Sequence, residues 1–147
     1  MAFDANYASC SYTHVWLRVM DEALDLDEIT EKLGVSYSRC IKAGDLKSAN
    51  LDKRYTHSGW FLESAGHVES RDVRDHLCWL LERIASKRAP LQEFRERGYL
   101  VDICCRWDSA WGHGGPTLDP AQLLQLGSLG IEVWFDIYFD GKELTGA

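Results

Sequence analysis

The sequence predicts an α+β fold. It is a ferredoxin-like sandwich of two β-α-β halves, with about four mostly antiparallel strands and helices on one face. Three observations point there. Residues 131–139 alternate strictly, with Ile131, Val133, Phe135, Ile137 and Phe139 set against Glu132, Trp134, Asp136 and Tyr138. That predicts a half-buried strand in an antiparallel sheet, not a parallel strand buried on both faces. Val73, Leu77, Leu80, Leu81 and Ile84 recur at helical spacing. A strand followed by Asp25-Leu26-Asp27-Glu28 and Leu33-Gly34 is echoed by a strand followed by Asp119-Pro120-Ala121-Gln122 and Leu126-Gly127.

Each element has its own justification. Tyr12 to Met20 is a strand, with Val15, Leu17 and Val19 on one face and His14, Trp16 and Arg18 on the other. Leu26 to Leu33 is a helix, capped by Asp25 with Glu28 completing a capping box, and stopped by Gly34. Val35 to Tyr55 reads as a long loop with a short strand near Arg39 to Lys42; a loop of that length is often functional or mobile. His57 to Ser64 is a second strand, in which Trp60 and Leu62 could trade faces with Phe61.

A long helix runs from a Ser70 cap to about Lys87, and Pro90 starts a short one through Glu96. In the strand from Tyr99 to Trp107, Val101, Ile103 and Cys105 share a face opposed to Asp102, Cys104 and Arg106. Asp119, Pro120 and Gln122 open a helix that should end at Gly127. Residues 1–147 are expected to form one domain with loose ends at about 1–11 and 141–147.

The composition excludes several function classes. Sixteen basic against 23 acidic residues give a net charge of −7. Such a chain is a poor non-specific binder of nucleic acid or of an anionic membrane. No apolar run approaches the roughly 18 residues of a membrane helix. The first eleven residues lack a basic stretch followed by an apolar one, so no secretory leader is expected. Five cysteines, with no C-x-x-C spacing, fit reduced thiols in a cytoplasmic protein rather than a disulfide framework or a zinc site. No motif calls for a cofactor or a metal. Trp111-Gly112-His113-Gly114-Gly115-Pro116 lacks the lysine and spacing of a phosphate loop, and the following helix opens on a repelling Asp119.

Several of these segments, in order along residues 12–139, resemble a family of small bacterial domains catalogued as a domain of unknown function. They are Asp27-Glu28-Ile29-Thr30 with Leu33-Gly34, Gly44-Asp45, Gly59-Trp60-Phe61-Leu62 and Asp75-His76-Leu77. Gly114-Gly115-Pro116 with Asp119-Pro120, and Leu129-Gly130-Ile131 with Phe135-Asp136-Ile137-Tyr138, complete the set. The resemblance implies a stand-alone bacterial protein of the kind encoded beside polymorphic toxins. It implies an immunity protein that neutralises a co-encoded toxin by binding it. It carries over no catalytic residues.

Strand parity supplies the candidate site. The sheet face away from the helices should carry Trp16, Arg18, Asp102, Arg106, Glu132, Trp134, Asp136 and Tyr138. Aromatics with arginine dominate binding hot spots, and exposed Trp and Tyr on a sheet call for cover. Two readings stay open: cover or cross-strand pairing within the chain, or a surface for a protein partner, with a basic toxin suited to the acidic excess. The alternative function is an enzyme or small-ligand binder with a pocket near residues 35–55, using His14 or Asp136 as acid–base. The chain could be a monomer or a dimer.

Overall fold

Strand β1 (Cys10–Asp21) is the spine of the molecule, because both of its edges are paired. The structure is a computed structural model and describes residues 2–49 and 51–139. After β1 come α1 (Leu26–Leu33), β2 (Arg39–Ile41), β3 (Leu46–Ser48), β4 (Leu51–Arg54) and β5 (Ser58–Glu63). Then follow α2 (Val73–Ile84), α3 (Arg88–Glu96), β6 (Leu100–Ser109), α4 (Pro120–Leu129) and β7 (Glu132–Tyr138). The main sheet has five strands in the order β2-β5-β1-β6-β7, and β3 and β4 form a separate two-stranded sheet.

β1 runs antiparallel to both β5 and β6, and β2 antiparallel to β5, whereas β7 is parallel to β6. The sequence expectation therefore holds as an α+β fold with helices on one sheet face, and needs correcting in two respects. There are five strands rather than about four. The last strand, expected in an antiparallel sheet, is parallel to β6, so the two halves differ: β6-α4-β7 is a parallel crossover unit while β5 returns antiparallel beside β1. Alternation gives a strand's faces and not its direction, so the sequence could not separate these cases.

One core lies between the sheet and the helices. Val15, Leu17 and Val19 of β1, Trp60 and Leu62 of β5, and Val101, Ile103 and Cys105 of β6 form its floor. Ile29 and Leu33 of α1, the apolar stripe of α2, Leu91 and Phe94 of α3, and Leu126 and Leu129 of α4 form its roof. The parity left open in β5 resolves with Trp60 inward, its Nε1–H donating to Thr30 Oγ1 at 3.1 Å. Phe61 lies on the opposite face under the Arg39 guanidinium, 4.1 Å from the ring centre.

α1 has the predicted bounds. Asp25 accepts from the Asp27 and Glu28 amides, and Gly34 turns left-handed with φ 68°. α2 starts later than predicted, at Val73, because Asp72 and not Ser70 accepts from the Arg74 amide. α3 starts at Arg88 and not at Pro90. α4 continues past Gly127 and stops at Gly130, whose φ of 69° supplies the left-handed cap. The segment expected as a loop at 35–55 holds three short strands. The segment before β1, expected to be loose, is bonded to the start of α2: the Phe3 amide donates to Asp75 and the Asp4 amide to Asp72. The expected loose end at 141–147 lies outside the described residues.

Candidate functional site

The sheet face away from the helices is ordered in rows set by strand register. Arg39, Phe61, Arg18, Asp102 and Glu132 lie side by side across the five strands. The next row holds Glu63, Trp16, Cys104 and Trp134, and the one after it His14, Arg106 and Asp136. Tyr12, Asp108 and Tyr138 form the last row. All eight residues proposed from parity thus share one face, as the expectation required. Among the described residues no helix belongs to this face, because the four helices described contribute to the core on the other side.

The arginines are already engaged. Arg18 is bidentate on Asp102, its Nε and Nη2 donating at 2.8 and 2.7 Å. Asp102 is almost fully buried, and its hydrogen bond holds the Arg18 pKa above the ordinary guanidinium value. Arg106 is bidentate on Asp108 at 2.9 and 3.1 Å, and Arg39 Nε donates to Glu63 at 3.0 Å. Arg18 also lies 5.4 Å from the Trp134 ring, and Arg106 4.5 Å from Tyr138 and 5.6 Å from Tyr12. These guanidinium–aromatic contacts fix the rings' orientation.

Once those pairs are formed, β7 holds the unspent charge. Glu132 and Asp136 take part in no ion pair among the described residues. Asp136 only accepts from the Tyr138 hydroxyl at 2.9 Å, a bond that raises the phenol's pKa. Beside them Trp134 and Tyr138 are 37% and 45% exposed. Trp16, by contrast, is half-buried, and Cys104 between the two indoles is sealed; burial pushes its thiol up to about 12, so it stays protonated at neutral pH. The sequence-based site left out Tyr12 and Arg39, and also Asp108, although parity had set Asp108 on the face of Asp102 and Arg106. Tyr12 and Asp108 sit two residues from His14 and Arg106 on the same parity, so the signal was there for both.

The chemistry considered for His14 is not assembled. Its cross-strand neighbour is Arg106, not Asp102 or Asp136. Its ring stacks on Trp16 at 4.8 Å, and its Nδ1 is buried with no hydrogen-bond partner among the described residues. Burial lowers its pKa, so it is neutral at pH 7. A cleft of about 530 Å³ does border the 35–55 segment, between Tyr37, Lys42 and Ala43 and the start of α1, but neither His14 nor Asp136 lines it. Asp25 there is spent on capping amides.

A serine–histidine pair exists elsewhere. Ser64 Oγ lies 2.7 Å from His76 Nδ1, and His76 Nε2 lies 2.8 Å from the Ser70 carbonyl. The carbonyl can only accept, so Nε2 carries the proton and Ser64 donates to Nδ1. The Val15 amide donates to the same hydroxyl at 3.0 Å. Ser64 is fully buried, so the trio locks β1 to α2 and presents no nucleophile. The glycine loop is equally occupied, with Ser109 Oγ donating to the His113 carbonyl and accepting from the Gly112 amide. Among the described residues no group of three or more His, Cys, Asp or Glu is placed to hold a metal ion, and no helix is long and apolar enough to cross a membrane.

The sequence matches the family model of DUF4279, a domain of unknown function, over residues 11–140. The chain belongs to the DUF4279 family. That match starts inside β1 and takes in every later element, so the rows of the open face lie within the DUF4279 domain. No curated protein and no solved structure matches this DUF4279 chain.

Proposed function

We propose that this DUF4279 domain is a non-enzymatic protein-binding module of the bacterial cytosol that docks a basic partner on its open sheet face. The partner proposed is a co-encoded toxin, which the domain neutralises by occlusion, as an immunity protein does. One observation carries the reading: β7 sets exposed Trp134 and Tyr138 beside Glu132 and Asp136, the two carboxylates on the face with no ion-pair partner among the described residues. Aromatic anchors supply contact area at low entropic cost, and unpaired carboxylates steer a basic partner on approach. Arg18 and Arg106, spent on Asp102 and Asp108, act here as props for the aromatic rings and not as free charges.

The test is binding and rescue with the product of a neighbouring toxin gene. Trp134→Ala should weaken the complex by about 2 kcal/mol, roughly 30-fold in Kd, with an unchanged circular dichroism spectrum. Glu132→Gln with Asp136→Asn should slow association at low salt and leave dissociation nearly unchanged. Full rescue and unaltered affinity in Trp134→Ala would remove the open face from the mechanism. Failure to protect against any neighbouring toxin would remove the immunity role.

A further inference from the structure

β7 is an edge strand with no Lys, Pro or bulge to blunt it; its only charges are Glu132 and Asp136. Its outer side has no partner among the described residues, and the run Glu132–Tyr138 contains no Lys, Arg, Pro or Gly. Exposed edges are usually short, charged with Lys, or broken by Pro or a bulge. The opposite edge strand, β2, obeys that rule with three residues, while β7 has seven.

The edge exposes apolar surface on both faces: Trp134 and Tyr138 stand on the open side with Glu132 and Asp136, and on the helix side Ile137 is 53% exposed. On α4, Gln122 is turned to α2, its Nε2 donating to the Arg74 carbonyl at 2.8 Å. Leu123 and its neighbour Leu124 are half and three-quarters exposed.

We infer that β7 pairs antiparallel with β7 of a second copy of this chain, in the register that sets Phe135 opposite itself. A twofold axis perpendicular to the sheet keeps the faces aligned, so only registers pairing residues of equal parity are available. Centred on Asp136, the two Asp136 carboxylates collide. Centred on Trp134, Glu132 meets Asp136 of the other copy. Like charges directly opposite are destabilising. Centred on Phe135, all seven residues of β7 find partners. Trp134 then opposes Asp136, Glu132 opposes Tyr138, and exposed Ile137 covers Val133. The sequence of the edge is therefore self-complementary in charge and in apolar contact. The pairing joins two five-stranded sheets into one, with both open faces on the same side and free for a partner.

Sedimentation of the full chain from about 1 to about 200 µM tests this, because a reversible dimer must respond to concentration. The expected result is a monomer–dimer equilibrium that Ile137→Lys weakens at least about tenfold in Kd, while Leu46→Lys on β3 leaves it unchanged. A second variant reads the register. Glu132→Cys combined with Tyr138→Cys should give a covalent dimer with diamide as oxidant, and neither single variant should do so. A chain that stays monomeric throughout, a dimer indifferent to Ile137→Lys, or a double-cysteine variant that does not cross-link would each overturn the inference.

Discussion

Asp102 is a carboxylate on the central strand pair of a sheet, 5% exposed, and it is tolerated because Arg18 faces it across the strands with two parallel hydrogen bonds. Removing one partner strands the other. Arg18→Met should cost roughly 2–3 kcal/mol, somewhat less than for a fully sealed pair because the arginine side chain is 24% exposed. Asp102→Leu alone should cost less, since the guanidinium it leaves can reach water. Arg18→Met with Asp102→Leu should recover most of the loss, because two apolar side chains need no compensation. Urea denaturation at pH 7 measures the cycle; a double variant as unstable as the sum of the singles would show that the two residues do not act as a pair. Parity alone placed both residues on one face. It could not say which of several carboxylates each arginine takes, and Arg106 chose Asp108, two residues along its own strand, over any residue of β7.

Local punctuation decided which elements were legible. α1 was readable to its ends because Asp25 and Gly34 each have a single backbone job. α4 was misread at its end because Gly127 and Gly130 compete, and only Gly130 adopts the left-handed conformation. β3 and β4 were hidden because Leu46, Lys47, Ser48, Asp52, Lys53 and Arg54 are all exposed and bury no periodic stripe. Glycine within β5 has a different use. A Cβ on Gly59 would lie 2.6 Å from Phe61 Cε2 and 3.0 Å from Ile41 Cγ1, so the small residue makes room for the ring that Arg39 covers. Gly59→Ala should therefore lower stability by about 1–3 kcal/mol through overpacking. Gly127→Ala, inside α4 with nothing within 4 Å of its Cβ, should raise it by about 0.5–1 kcal/mol. Paired thermal melts check both signs, and a destabilised Gly127→Ala would contradict the open environment described for it.

At the scale of the molecule, the one-sided placement of helices separates stability from recognition, and two histidines, one buried and one half-buried, report on that division. His76 lies in the seam between β1 and α2, and His14 lies on the open face. Burial depresses both pKa values below 6.5; Asp72 and Asp75 near His76, and Glu63 near His14, oppose the shift without reversing it. Above pH 6.5 both groups are neutral, folded or unfolded, and contribute no pH dependence. As pH falls below 6.5 the unfolded chain takes up protons that the folded chain refuses. Stability is then lost by up to about 1.4 kcal/mol per pH unit for each histidine, until the folded pKa is reached. Asp72, whose pKa is lowered by Arg74 and by two backbone amides against the opposing effect of burial, adds a further loss in the same direction below about pH 4. A competing trend exists, since acid also reduces the self-repulsion of a chain with net charge −7. The difference between wild type and a His14→Gln, His76→Gln double variant cancels that trend, because both chains carry the same carboxylates. The stability gap should shift in favour of the variant as pH drops from 7 to 5, read as ΔG from urea titrations. A gap independent of pH would mean that neither ring is held neutral by the fold, and that the Ser64–His76–Ser70 seam opens as readily as it closes.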